Sequence, residues 1–153
     1  MSDAQTDSVL FEERDAGNGR CVAFALLNAE RALNSLSRAM IDSLQAQLDA
    51  WATRDDIVCV VLHGAGEKAF CAGGDVIGLY KAMTATGDAP SADAEGFFAQ
   101  EYRLDYTIHR YLKPVLCWGN GTVMGGGLGV MLDDILAAFY ALLCLAIGKL
   151  LLG

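Results

Sequence analysis

Phe70-Cys71-Ala72-Gly73-Gly74-Asp75 and Gly121-Thr122-Val123-Met124-Gly125-Gly126-Gly127-Leu128-Gly129 are the two stretches on which the reading of this chain turns. Each follows an apolar run with the character of a buried strand, and each leads toward a helix-like stretch. Glycine has no Cβ, so a second backbone or a ligand can approach closely, and a helix N-terminus leaves its first N–H groups unpaired and electropositive. One such turn says little. Two of them, carrying Gly74 and Gly126, can aim two N–H donors at one developing oxyanion, the usual means of stabilising attack on an acyl group or its enolisation.

Outward from these turns the pattern alternates between strand and helix. Val9-Leu10-Phe11-Glu12 and Cys21-Val22-Ala23-Phe24-Ala25-Leu26 flank an Asn18-Gly19 step that favours positive φ, which predicts a hairpin whose first strand lies at an edge. From Ser35 to Ala52, Leu36, Met40, Leu44, Leu48 and Trp51 recur at three- and four-residue spacing, one face of an amphipathic helix, with Asn34, Ser35 or Ser37 available as N-cap. Ile57 to Leu62 is a continuous apolar, β-branched-rich run, as expected of a strand covered on both faces. Met83 to Asp93 reads as a loop around Gly87 and Pro90. Ala94 to Tyr111 resumes helical spacing, and Pro114 opens the short apolar strand Val115-Leu116-Cys117-Trp118.

The chain of 153 residues is the size of one domain. Its 11 basic and 19 acidic residues give a net charge of −8, which disfavours nucleic acid and anionic lipid as partners. Cysteines at 21, 59, 71, 117 and 144 show no paired spacing, so reduced thiols are expected rather than a disulfide or zinc framework, and no metal site is expected. The first residues carry Asp3 and Asp7 and neither an apolar signal core nor early arginines, which makes the cytoplasm the expected compartment. Ile135 to Ile147 is a run of 13 uncharged, almost wholly apolar residues, too short for the roughly 20 that span a bilayer. A membrane span is therefore not expected.

Three ordered blocks carry a more specific likeness: Lys68-Ala69-Phe70-Cys71-Ala72-Gly73-Gly74-Asp75, Phe97-Phe98-Ala99-Gln100-Glu101-Tyr102-Arg103-Leu104, and Gly119 through Gly129. Between Asn28 and about Met131 the chain resembles the crotonase (enoyl-CoA hydratase/isomerase) superfamily, and these blocks are most similar to its 3-hydroxyisobutyryl-CoA hydrolase branch. The resemblance implies an α/β fold, a crotonase-like spiral of ββα turns, here truncated, with residues 1–131 as the N-terminal part of a CoA-binding domain. Residues 132–153 form an atypical apolar tail, expected to be helical.

The same resemblance implies the site. The amides of Gly74 and Gly126 would be the catalytic oxyanion-hole donors, the Ala72 carbonyl would face the adenine of CoA beside Gly73, and Glu101 would hold the acyl hydroxyl. Asp75 is included among the substrate-binding residues, although capping the helix that starts near Val76 is its simpler role. Arg31, Lys68 and Lys81 are candidates for the CoA phosphates, and each alone also reads as a solvated cation. His63 and His109 lack a carboxylate or thiol at a spacing that would make a dyad. The substrate would be an acyl-CoA thioester, with no separate cofactor.

Departures from the pattern bear on activity. Gly129 stands where enoyl-CoA hydratases carry a catalytic glutamate, and the hydrolase branch brings its glutamate and aspartate from a later region whose wording does not occur here. Three functions therefore stay open: an impaired 3-hydroxyisobutyryl-CoA hydrolase-type protein of valine catabolism, a hydratase or isomerase, and a non-catalytic CoA-binding or oligomerising fragment. The tail, with Leu136, Phe139, Leu142 and Leu143, is expected to bury its apolar side in a homo-oligomer or a detergent-like phase.

Overall fold

The computed structural model describes residues 7–85 and 92–124. The chain opens with a hairpin of β1 (Val9–Gly17) and β2 (Arg20–Leu27), paired from Val9 opposite Leu27 to Gly17 opposite Arg20. Asn18 and Gly19 form the two-residue turn with φ of 57° and 69°, both left-handed, as the twist of a tight hairpin requires. A 3-10 turn, Glu30–Ala32, leads into helix α1 (Arg38–Ala52). Ser37 caps that helix, its hydroxyl accepting from the Met40 amide, and Met40, Ile41, Leu44, Leu48 and Trp51 form its buried face. The chain then returns as β3 (Ile57–Gly64), parallel to β2, so β2–α1–β3 is a crossover unit.

After β3 come β4 (Ala69–Cys71), α2 (Val76–Ala85), α3 (Ala92–His109), β5 (Val115–Trp118) and β6 (Thr122–Val123). The main sheet has the order β1-β2-β3-β5, while β4 and β6 pair in parallel as a second, small sheet. As the hairpin pattern implied, β1 lies at an edge. Helix α3 begins two residues before the sequence pattern suggested, and α2 runs into the stretch expected to be a loop, because after Gly78 in its first turn no glycine or proline follows until Gly87.

The core lies between one face of the sheet, through Ala23, Ala25, Leu27, Val60 and Leu62, and the buried sides of α1 and α3, through Leu48, Trp51, Phe97 and Leu104. Trp51 is 1% exposed, meets Phe11 edge to face at 5.6 Å between ring centroids, and donates from Nε1 to Glu13 at 2.8 Å. The ends of α1 and α3 are tied by Tyr111, whose hydroxyl donates to the Leu48 carbonyl at 2.7 Å, and by Lys113, whose ammonium donates to the carbonyls of Trp51 and Arg54. That ammonium occupies the electronegative C-terminus of α1.

The β-branched-rich run of β3 was expected to be covered on both faces; among the described residues the face toward α1 and α3 is buried. Val61 and His63 on the other face stay half-buried, and Leu116 and Trp118 beside them on β5 are exposed. Among the described residues no helix is long and apolar enough to cross a membrane. The tail from 132 to 153 lies outside the described residues.

A single buried amide fixes the loops above this core. Asn34, fully buried and held at φ 53°, accepts from the Ala29 amide at 3.0 Å and donates to the carbonyls of Ala65 at 3.0 Å and Ala69 at 2.8 Å. Replacement by alanine leaves three buried or part-buried backbone groups without partners, at roughly 1 kcal/mol or more each. Asn34→Ala is therefore expected to lower unfolding free energy by about 3 kcal/mol, read from urea midpoints at unchanged m-value; a loss under about 1 kcal/mol would contradict the role given to this side chain.

Candidate functional site

The first glycine turn is held by the segment that Asn34 anchors. The Ala72 amide donates to the Leu33 carbonyl at 3.1 Å, the Leu36 amide donates to the Gly73 carbonyl at 2.8 Å, and the Asp75 amide donates to the Leu36 carbonyl at 2.9 Å. Leu36 and Gly74 thus form an isolated parallel bridge in which the bonds are made by the residues on either side of Gly74. The peptide groups of Gly74 itself consequently turn away from Leu36. Its carbonyl accepts from the Val76 amide at 2.8 Å, and among the described residues nothing accepts from its N–H. Gly73 sits at φ +91°, a conformation that favours glycine, and makes this reversal possible.

The Gly74 backbone borders a cavity of about 350 Å³ whose wall includes Leu79, Tyr80, Phe97, Phe98 and Glu101. A Cβ on Gly74 would meet Glu101 Oε1 and the Phe97 ring at 3.3 Å, so backbone and carboxyl are near neighbours. The surroundings are aromatic: Phe97 meets Phe98 edge to face at 5.8 Å, and Phe98 stacks on Tyr102 at 6.5 Å. Burial pushes the Glu101 carboxyl above its ordinary range, and Asp105, one helical turn further along α3, pushes it the same way. Burial also raises Asp105, which lines a smaller apolar cavity of about 60 Å³ with Cys71, Leu36 and Cys117. The Cys71 thiol is raised chiefly by burial as well, so it is protonated and no nucleophile.

The sequence-derived residues fall as follows. Gly74 and Glu101 are brought to one cavity. Asp75 begins α2, its Oδ1 accepting from the Gly78 amide at 3.0 Å, so its carboxylate serves as the cap. Gly73 is buried, and among the described residues nothing donates to the Ala72 carbonyl beside it. Gly126 lies outside the described residues, and with it the convergence of the two amides. The second block is described as far as Met124: Asn120 donates to the Gly66 carbonyl at 2.7 Å, and the Met124 amide donates to the Cys71 carbonyl at 2.9 Å. That last bond joins the second glycine block to the strand that leads into the first. Sequence reasoning missed Asp105, whose only signal is its position four residues after Glu101 on one helix face.

Among the described residues no cluster of histidine, cysteine or carboxylate side chains could hold a metal ion. The chemistry available here is that of a backbone donor and a raised carboxyl facing an aromatic cavity. A donor pre-aimed at a carbonyl stabilises the charge that develops there without waiting for solvent to reorganise.

Residues 22–135 match the family model described as enoyl-CoA hydratase/isomerase, and the chain belongs to that family. It is similar to the mitochondrial 3-hydroxyisobutyryl-CoA hydrolase of Danio rerio, with 39% identity over 130 residues, covering 85% of this chain and 32% of that protein. It is also similar to the small ribosomal subunit protein mS47 of Neurospora crassa, with 38% identity over 104 residues, covering 68% of this chain and 20% of that one. A solved carnitinyl-CoA dehydratase from Mycobacterium thermoresistibile superimposes with a TM-score of 0.69 at 40% identity, covering 82% of this chain and 34% of the other. The mixed α/β architecture is thus that of the crotonase fold, and the chain spans about a third or less of the length of these relatives.

The raised carboxyls carry a stability consequence with a definite sign. A carboxyl whose pKa is higher folded than unfolded binds its proton more tightly in the native state, so stability is greatest below the unfolded value and falls as pH rises through the folded one. Glu101→Gln and Asp105→Asn are each expected to unfold at higher urea than the parent at pH 7. That advantage should shrink toward zero as pH falls below the ordinary carboxylate range. Equal midpoints at pH 7, or an advantage that grows on acidification, would show that these groups are not strained by burial.

Proposed function

We propose that this chain supplies the first part of an acyl-CoA thioester site of the 3-hydroxyisobutyryl-CoA hydrolase type, the branch of the family that serves valine catabolism. In this reading the Gly74 amide is one oxyanion donor, the Gly126 amide is the second, and Glu101 takes the hydroxyl of a 3-hydroxyacyl group. Ala72 and Gly73 would line the path of CoA, with Asp75 contributing through the helix that it caps. One observation carries the proposal: the Gly74 N–H, unpaired among the described residues, borders the same cavity as a half-buried carboxyl. The identity to 3-hydroxyisobutyryl-CoA hydrolases supports the hydroxyacyl class in particular.

Turnover asks for more than this. Hydrolysis of a thioester needs a positioned carboxylate to activate water or attack the carbonyl, and an oxyanion hole does not supply one. Downstream of Met131 the only carboxylates are Asp133 and Asp134, directly after the third block. Binding with negligible hydrolysis is therefore the activity proposed for residues 1–153. Gly129, in the place of the hydratase glutamate, weighs against water addition to an enoyl-CoA. A non-catalytic role is the second reading, favoured by the similarity to a ribosomal subunit protein, which indicates that this family's scaffold also occurs as a component of an assembly.

Calorimetric titration with 3-hydroxyisobutyryl-CoA, isobutyryl-CoA and free CoA separates these readings. The hydroxyacyl thioester should bind about 10-fold more tightly than its deoxy analogue, the worth of one hydrogen bond to a charged or polar partner, and Glu101→Ala should abolish that difference. Thiol release should be negligible throughout. Equal affinity for both thioesters, or hydrolysis that Glu101→Ala leaves unchanged, would contradict the assignment; no binding of any thioester would favour the assembly role.

A further inference from the structure

Glu101 and Asp105 stand four residues apart on α3, which places them on one helix face with Cβ atoms about 6 Å apart. Both are half-buried, and each borders a cavity: Glu101 the one of about 350 Å³ beside Gly74, Asp105 the one of about 60 Å³ beside Cys71. The segment from Cys71 to Gly74 runs past both cavities, so two carboxyls and a thiol are gathered at one end of the site. Among the described residues neither carboxyl takes part in an ion pair, and nothing donates a hydrogen bond to either side chain.

The charged groups of the surrounding elements are engaged elsewhere or turned to solvent. Arg38 of α1 donates to Gln100, Asp75 caps α2, and Lys81 and Arg103 are exposed. Tyr80, the other titratable side chain on the wall of the larger cavity, is exposed as well, and the Cys71 thiol donates to the Gly73 carbonyl. An ionised Glu101 would therefore lie against the Phe97 ring with a second carboxyl one turn away and no donor to satisfy it. Burial, reinforced by Asp105, accordingly holds this carboxyl above its ordinary range.

We propose, resting on the acyl-CoA site read above, that Glu101 meets the acyl group as a neutral carboxylic acid donating a hydrogen bond, that Asp105 is the positioning residue keeping it in that form, and that the site takes 3-oxoacyl thioesters as well as 3-hydroxyacyl ones. A hydroxyl suits either form of Glu101, since it donates to a carboxylate and accepts from an acid. A ketone oxygen only accepts. Opposite a carboxylate it is left unpaired against negative charge, whereas opposite the acid it receives the O–H. A Cβ on Gly74 would lie 3.3 Å from Glu101 Oε1, so the Gly74 N–H and the Glu101 O–H are two donors on one wall. A 3-oxoacyl thioester offers the matching pair, its thioester oxygen for the first and its 3-oxo oxygen for the second.

Three thioesters of one carbon skeleton test this by calorimetric titration of residues 1–153 between about pH 5 and 8: 2-methylacetoacetyl-CoA, 3-hydroxy-2-methylbutyryl-CoA and 2-methylbutyryl-CoA. At the acid end the 3-oxo and 3-hydroxy compounds should each bind about 10-fold more tightly than the deoxy one. As pH rises through the Glu101 titration the donor is lost, so the 3-oxo advantage should fall away while the 3-hydroxy advantage persists. Glu101→Gln keeps a donor that does not titrate and should retain the 3-oxo advantage throughout. Asp105→Asn removes the repelling charge, lets Glu101 ionise more readily, and should move the midpoint of the 3-oxo loss to lower pH, a shift that a merely structural aspartate would not give. A 3-hydroxy advantage with no 3-oxo advantage at any pH would overturn the inference and leave the hydroxyacyl assignment standing. A midpoint unmoved by Asp105→Asn would overturn the part given to Asp105. Equal affinity for all three, or binding of none, would overturn the hydroxyacyl assignment and this inference together.

Discussion

Asn34 is the constraint on which the arrangement of the site rests. Its side-chain amide reaches three backbone groups from separate segments: the start of the 3-10 turn, the loop after β3, and the first residue of β4. Those bonds hold Leu33 and Leu36 where their carbonyls and one amide can take hold of Ala72, Gly73 and Asp75. The direction of the Gly74 N–H is set three steps away, by a buried amide that touches no part of the cavity. Close packing enforces the link, since a Cβ on Gly64 would meet the Phe70 carbonyl at 2.5 Å and the Asn34 Nδ2 at 2.7 Å. With the strand, loop and amide in contact, none can shift alone.

The site combines two kinds of stored cost. Among the described residues the Gly74 N–H has no protein acceptor, and a carboxyl moved into an aromatic wall forgoes part of its hydration. In the proposed function, a ligand offering a carbonyl to the first and a hydroxyl to the second would offset both costs. Preorganisation of this kind places the expense in folding rather than in binding, which is why a buried staple such as Asn34 and a cap such as Asp75 belong to the account of the site. Asp105 adds to it by disfavouring the ionised form of Glu101 from one turn away.

Much of this was legible in the sequence where a local rule operates alone. Asn18-Gly19 specified its hairpin turn, the spacing from Leu36 to Trp51 specified α1 although Leu36 itself precedes the helix and bridges to Gly74, and the wording around Gly74 specified both family and turn. Less was legible where the decision is tertiary. Asn34, Ser35 and Ser37 were equivalent as N-caps on paper; Ser37 takes that role because the Asn34 amide is committed to distant carbonyls. Strands of three and two residues, β4 and β6, are too short to show a period. The continuous apolar run of β3 records a demand for burial without recording which element meets it; among the described residues α1 and α3 meet it on one face.

The central claim is that the Gly74 amide is held ready for an acyl carbonyl, and its own NMR resonance tests it most directly. In ¹⁵N-labelled protein the Gly74 N–H should exchange rapidly with solvent in the free state. On saturation with 3-hydroxyisobutyryl-CoA its proton should move downfield and become protected, while the Asp75 amide, already bonded to Leu36, shows the smaller change. A Gly74 amide that is protected before any ligand is added, or that neither shifts nor gains protection when the thioester is bound, would contradict the account.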